Sequence, residues 1–501
     1  MHAMLAGLTL VLMSAAATAA MPCEQLDALS TPQVTIRATS TPAGPFVPPG
    51  AAPAAPAADR GGAGAPPAPP LPAHCRVRLV LRPTSDSNIN AELWLPSATW
   101  NGKFMAVGNG GFGGSIQGFG DMQTALRLGY ATAGNDTGHS AADGPNGMFA
   151  LGHPEKIVDF AYRAMHEMTA TSKKLIDKYY GSGPQFSYYK GCSTGGRQGA
   201  MNAQRYPEDF DGIIAGALAN RHIQMHTSGT YRGIDLARHP DGAVPEAKAA
   251  MVTKAVLDKC DTLKEGFLNN PRACTFDFKA LACKGGDGPT CLTPAQLATV
   301  ERFYGGVKNG KGELIFSGQA LGNPLSPQRA SAQPNISDTV RIWGFQNADY
   351  DWKTFDLDRD MPIINSKVGF VDAVDADLSK FKAHGGKLLL YAGWGDTTIT
   401  PENTVLYYEN LQSKMGKNQD DWTRLFMVPG MGHCRGGDGP YAFDLIGTME
   451  AWREKGVAPA RITGFNPQSG LSRPLCPYPQ HAKYTGTGNF KDASNWVCTA
   501  P

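Results

Sequence analysis

Gly191-Cys192-Ser193-Thr194-Gly195 matches the G-x-S-x-G pattern, in which a serine is lifted out of a sharp turn to act as a nucleophile. A serine hydroxyl at its ordinary pKa attacks poorly, so this chemistry requires a base beside it and a third group to orient the base. Two later segments supply candidates, Gly393-Trp-Gly-Asp396 and Gly430-Met-Gly-His433-Cys434. Serine, acid, histidine is a known chain order for a nucleophile seated between a strand and a helix. Taken singly, Asp396 reads equally well as a turn residue and His433 as a surface histidine. In this order, and each in a glycine-rich loop, they read as the acid and base of an acyl-transfer site. The N–H of Thr194, at the start of the following helix, is positioned to face a developing oxyanion.

Those loops need rigid elements behind them. Residues 186–190 read as a strand and 198–205 as a helix, which gives Ser193 the strand-turn-helix context the motif requires. Residues 76–82, 91–96, 103–108 and 131–134 read as further strands. Residues 154–180 read as a long amphipathic helix, with Ile157, Phe160, Ala164, Met168 and Leu175 on one face. Buried strands at 387–391 and 424–428 lead into the acid and base loops. Strands alternating with helices indicate an α/β sheet. Residues 220–362 break that grammar, so the expected layout is a core of 21–219 and 363–501 split by an inserted lid. Within the lid, Ile342-Trp343-Gly-Phe-Gln346 and Tyr350-Asp-Trp352 offer two tryptophans, either as walls of an aromatic pocket or as packing between lid and core.

Over 501 residues the length prior is roughly three domains. Hydrophobic residues at 42% and charged residues at 18% exclude disorder throughout. With 46 basic against 44 acidic residues there is no electrostatic footprint for a nucleic acid. Residues 39–72 are dominated by Pro, Ala and Gly and read as an extended loop. The apolar run at 5–12 is followed by small residues and reads as a signal peptide of residues 1–20, cleaved near Ala19 or Ala20. The competing reading is a buried helix opening the mature protein. Export would leave no membrane segment, and secretion or a periplasmic location would suit ten cysteines as five disulfides. If Cys192 and Cys434 are bonded, they bring Ser193 and His433 together across more than two hundred residues. The other eight suggest neighbouring pairs, Cys23–Cys75, Cys260–Cys274, Cys283–Cys291 and Cys476–Cys498, although spacing alone does not decide connectivity. Asn135 and Asn335 head glycosylation sequons, which matter only in a eukaryotic secretory pathway.

Gly191-Cys-Ser-Thr-Gly-Gly-Arg-Gln-Gly199 and the following Arg205-Tyr-Pro-Glu-Asp-Phe-Asp-Gly-Ile213 closely resemble the tannase and feruloyl esterase family. That family also includes the bacterial enzyme hydrolysing mono(2-hydroxyethyl) terephthalate. The likeness extends through residues 108–114, Asp136-Thr-Gly-His139, His153-Pro-Glu155, Arg163-Ala-Met-His166 and the acid and base loops. It implies an α/β-hydrolase core with a large inserted lid, and a triad of Ser193, Asp396 and His433 closed by a Cys192–Cys434 disulfide. It implies similar pairing of the other cysteines. Gly110-Gly111-Phe112 resembles the glycine turn that supplies the second oxyanion donor, with Gly111 favoured and Gly110 next. The implied activity is secreted carboxylic-ester hydrolysis on small aromatic acyl esters, feruloyl or galloyl, with no cofactor required for the chemistry. Terephthalate half-ester hydrolysis is the alternative within the class; a catalytically silent binding protein on the same scaffold is the alternative outside it. Many relatives carry a calcium loop after the first lid cysteine. Here Cys260-Asp-Thr-Leu-Lys-Glu-Gly-Phe267 is short and lacks an aspartate, leaving Asp261, Glu265 and the Phe267 carbonyl as the residual ligands.

Overall fold

The computed structural model describes residues 21–48 and 69–500, so the signal segment and most of the Pro/Ala-rich stretch lie outside the described residues. Nine strands form one sheet: β1 (Val34–Thr41), β2 (His74–Leu81), β3 (Ile89–Pro96), β4 (Lys103–Val107), β5 (Ala131–Asn135), β6 (Phe186–Cys192), β7 (Gly212–Gly216), β8 (Lys387–Gly393) and β9 (Thr423–Val428). Their spatial order is β1-β2-β3-β5-β4-β6-β7-β8-β9. The first four in that order pair antiparallel, and from β5 to β9 every pair is parallel. The parallel strands carry unbroken apolar runs because helices cover both faces: β7 is buried at every position and β8 at all but its first. β1 reaches Thr41, so the first residues assigned to the Pro/Ala-rich loop are edge strand instead, paired with β2. Asn135, at the end of β5, is buried and its sequon is closed to modification.

Residues 154–180 are helical throughout but not one regular helix. A π turn at Asp159–Arg163 separates Pro154–Val158 from α1 (Ala164–Tyr180). Such a turn leaves carbonyls without an i+4 partner. Two of them receive the buried guanidinium of Arg197, whose Nη1 donates to Ala161 O at 2.9 Å and Nη2 to Phe160 O at 3.0 Å. Arg197 lies on α2 (Thr194–Arg205), the helix behind the nucleophile, and burial lowers its pKa to about 10.

The insertion opens with α3 (His222–Arg238), includes a π-helical turn at Thr339–Gly344, and ends with α4 (Leu357–Val368). The expected boundary at 362 falls inside α4, where Met361, Ile364 and Val368 share one apolar cluster with Trp343 and Phe355. The physical limit is further on. Asn220 O accepts from Ala373 N at 2.8 Å and Asn220 Nδ2 donates to Ala373 O at 3.2 Å, so entry and exit are stapled side by side. No helix among the described residues is long and apolar enough to cross a membrane.

Candidate active site

β4 and β6 are neighbours, yet the chain leaves β4 for β5 on one side and reaches β6 on the other. Their carboxyl ends therefore flank a topological switch point, where open α/β sheets form clefts. Ser193 follows β6 directly, with φ 64° and ψ −124°. That left-handed conformation costs a non-glycine residue of order 1–3 kcal/mol and is tolerated where the surrounding structure imposes it. The surroundings are tight: a Cβ on Gly191 would lie 2.7 Å from the carbonyl carbon of Gly195, so only glycine lets β6 turn this sharply into α2. Ser193 N donates to Gly216 O at 3.0 Å, and Ala219 N donates to Ser193 O at 3.3 Å.

The loop after β4 meets the same turn. Gly195 N donates to Asn109 O at 2.7 Å, and Thr194 Oγ1 donates to Gly111 O at 2.5 Å. Gly110 N–H is already committed to Gln117 Oε1 at 2.7 Å. The N–H groups of Gly111 and Thr194 have no hydrogen-bond partner among the described residues. A pair of unengaged backbone donors on adjoining loops is what an oxyanion site needs.

Asp396 and His433 follow β8 and β9. Asp396 is fully buried; its Oδ2 accepts from His433 Nδ1 at 2.7 Å while Oδ1 accepts from Thr398 N at 2.8 Å and Ile399 N at 2.9 Å. These three donors hold the carboxylate in one orientation, and it holds the imidazole. Among the described residues only Nδ1 of His433 is engaged; Nε2 has no partner, and no hydrogen bond joins it to Ser193 Oγ. Cys192 and Cys434 are joined across 242 residues, with Cα atoms 6.0 Å apart, and so tie the residue before Ser193 to the residue after His433. The other pairs are Cys23–Cys75, Cys260–Cys274, Cys283–Cys291 and Cys476–Cys498, with no free cysteine among the described residues.

Lid residues that sequence reasoning missed brace the acid loop. Asn323 Nδ2 donates to Asp396 O at 3.3 Å, Gln319 Nε2 donates to Thr397 O at 3.2 Å, and Ser317 and Thr400 share a hydroxyl hydrogen bond of 2.6 Å. No motif marks these residues, because their partners lie more than seventy positions away. Trp343 packs edge-on to Phe112 of the glycine loop at 5.5 Å, whereas Trp352 packs, partly buried, against the apolar cluster that core and lid share.

The residual calcium ligands are not gathered for a metal. Asp261 Oδ2 accepts from Gly266 N at 2.8 Å. Both oxygens of Glu265 face the buried guanidinium of Arg473, at 2.8 and 3.2 Å. The Phe267 ring instead packs on Gly430 of the base loop, where a Cβ would lie 2.7 Å away. Among the described residues no group of three or more His, Cys, Asp or Glu side chains is placed to hold an ion. This donor set does not fit calcium, which takes six to eight oxygens.

A family model for tannase and feruloyl esterase matches residues 75–343 and 328–499. The chain is 36% identical to an uncharacterized esterase of Xanthomonas campestris, over 99% of this chain and 93% of that one. It is 32% identical to a probable feruloyl esterase B-2 of Aspergillus terreus, over 85% of this chain and 86% of the relative. Among solved structures, feruloyl esterase B from Aspergillus oryzae superposes with a TM-score of 0.84 at 31% identity, over 95% of this chain and 99% of that one. Tannin acyl hydrolase from Aspergillus niger has the same fold, with a TM-score of 0.72 at 21% identity over 94% of this chain and 91% of its own.

Proposed function

The chain belongs to the tannase and feruloyl esterase family and is a carboxylic-ester hydrolase for aromatic esters, and on that premise we propose that it works through Ser193, His433 and Asp396. Ser193 Oγ attacks the ester carbonyl while His433 Nε2 takes its proton. Asp396 fixes the tautomer with the proton on Nδ1 and stabilises the imidazolium that forms. The carbonyl oxygen, now an anion, is held by the N–H groups of Gly111 and Thr194. His433 then protonates the departing alcohol, which leaves an acyl group on Ser193. Water, deprotonated by the same histidine, attacks that acyl-enzyme and releases the aromatic acid.

The observation that carries this reading is the 2.7 Å Asp396–His433 hydrogen bond held beside Ser193 by the Cys192–Cys434 bridge. A silent binding protein would have no use for a buried, three-donor carboxylate aimed at a histidine. We take a feruloyl group as the first acyl choice, because relatives at about a third identity are named feruloyl esterases; the galloyl group is second and terephthalate half-esters third. We also propose export. Five disulfides support an oxidising destination, and the apolar run at 5–12 supports a signal peptide. The test of substrate is kcat/KM on methyl ferulate, methyl gallate and mono(2-hydroxyethyl) terephthalate. A value for either of the latter two above that for methyl ferulate would reverse the order.

A further inference from the structure

Residues 110–114 read Gly-Gly-Phe-Gly-Gly, so the loop that carries the Gly111 N–H has a single side chain larger than hydrogen. Gly111, Gly113 and Gly114 all have positive φ, at 55°, 76° and 82°. Glycine has the widest backbone freedom of any residue, so a loop of this composition holds one conformation only if something outside it does the holding. Hydrogen bonds secure its two ends, from Gly110 N to Gln117 Oε1 at 2.7 Å and from Gly114 N to Asp136 O at 2.9 Å. Between them, Gly111 O accepts from Thr194 Oγ1 at 2.5 Å and Gly113 O from Gln117 Nε2 at 3.1 Å, and Phe112 is the one side chain of the loop's own that packs against its surroundings.

The lid supplies most of what that ring touches. Phe112 meets His222 edge-on at 5.5 Å, His226 at 5.1 Å and Trp343 edge-on at 5.5 Å. From the core, Phe160 is the next aromatic ring, at 6.2 Å, and Gly147 lies so near that a Cβ there would come within 3.2 Å of the Phe112 ring. The three lid rings are themselves fixed. Trp343 Nε1 donates to Gly147 O at 2.9 Å, His222 stacks on Trp343 at 5.3 Å, and His226 Nδ1 lies 3.0 Å from Ser337 Oγ. His222 and His226 sit one turn apart on α3, which begins three residues after the Ala219 N–H that touches Ser193 O. Burial holds both imidazoles in the neutral form, the form that packs against aromatic rings without a charge to solvate.

We propose that Phe112 is a positioning residue for the hydrolysis, clamped by His222, His226 and Trp343 so that the lid sets where the Gly111 N–H points. The inference rests on the serine-esterase reading above and adds a role for the lid in the chemical step itself. A clamp and a pocket wall predict different things. A wall acts through the acyl group of the substrate, so its loss changes KM and acyl selectivity. A clamp acts through the oxyanion, so its loss lowers kcat for every ester, including one whose acyl group is too small to reach the lid.

The test compares wild type with Phe112→Ala and Phe112→Leu on 4-nitrophenyl acetate and methyl ferulate. Labelling of Ser193 by diethyl 4-nitrophenyl phosphate is followed in parallel. Loss of one oxyanion donor lowers kcat by about 10²–10³. Phe112→Ala should therefore lower kcat on both esters by about a hundredfold, slow phosphorylation similarly and leave the acetate KM within about threefold. Phe112→Leu should recover most of the loss, since leucine still fills the clamp. Trp343→Ala should act in the same direction but less, and it keeps the question open to test if Phe112→Ala does not fold. Full acetate turnover in folded Phe112→Ala, with ferulate turnover reduced, would make Phe112 a pocket wall and overturn the proposal. Wild type that hydrolyses esters without labelling at Ser193 would overturn the underlying reading instead, and the clamp with it.

Discussion

The core and the lid both reach the candidate site, but they are held there by different forces. On the core side, Ser193 is set by a strained turn, by backbone hydrogen bonds to Gly216 and Ala219, and by a covalent bridge to the residue beside His433. On the lid side, attachment is made largely by side chains: a buried apolar cluster joins Phe149, Ile157 and Phe160 of the core to Ile342, Trp343 and Ile364 of the lid, and ion pairs add to it. Arg473 of the core is gripped by Glu265 and Asn269 of the lid, and Arg272 of the lid reaches Glu402 at 2.6 Å and Glu409 at 2.7 Å on α5 (Pro401–Met415). Backbone geometry and a disulfide leave little room to adjust, whereas side-chain contacts can change residue by residue without rebuilding the backbone. The candidate nucleophile and base are thus lodged where backbone and disulfide fix them, and the lid meets that region through side-chain packing.

The sharpest way to break this contrast is to remove the chemistry and leave the scaffold. Ser193→Ala, His433→Ala and Asp396→Asn should each lower kcat by about 10⁴ or more with thermal midpoints near wild type, and the double variants should be little worse than the worst single one. Near-normal turnover in folded Ser193→Ala would end the proposal for the core.

Next in size is the covalent tie. Replacing Cys192 and Cys434 together with alanine should cost about a hundredfold in turnover per folded molecule, the scale of a misplacement of about 1 Å. Closure of so long a loop carries a nominal stabilisation of about 4–5 kcal/mol, so the thermal midpoint should fall as well. Active-site titration separates the two effects, and unchanged turnover per titrated site would leave the bridge as a staple only.

The lid contacts should respond differently. Glu265→Gln strands a fully buried arginine and should cost about 3–5 kcal/mol, read as a lowered denaturant midpoint. The paired change Glu265→Leu with Arg473→Met should recover much of that loss, because replacing a buried ion pair by apolar groups is often near neutral. If the pair is as damaging as the single change, the Arg473 guanidinium is needed for more than its partner, and its stacking on Trp496 at 3.8 Å is the place to look. The smallest effect expected is that of chelation. EDTA should leave activity and thermal midpoint unchanged, since Arg473 already neutralises Glu265; a large drop restored by calcium and not by magnesium would contradict that.

Much of the core is legible in the sequence. The strand-turn-helix around Ser193 is local, so the spacing of small residues reports it directly, and α2 merely begins four residues earlier than its apolar pattern does. The apolar runs before Asp396 and His433 mark buried parallel strands for the same reason. β1 was missed because an edge strand with one wet face, running into a proline-rich stretch, has a weak period. The π turn inside residues 154–180 leaves no mark in the apolar period, and its carbonyls meet Arg197, a residue on another helix. The end of the lid is not legible in the sequence, because the hydrogen bonds between Asn220 and Ala373 that close it join positions 153 residues apart.

By itself, then, the sequence determined the identities and chain order of Ser193, Asp396 and His433 and the local elements that end in them. These depend on periodicity and turn chemistry within a dozen residues. The tertiary structure decided which loop N–H stays unengaged, since Gln117 occupies Gly110 and leaves Gly111. It also decided that Glu265 meets Arg473, 208 positions away, and that Phe112 lies among His222, His226 and Trp343. Such pairings follow from which faces pack when the sheet and its insertion close on each other, and a contact between distant positions leaves no period in the chain for a reader to find.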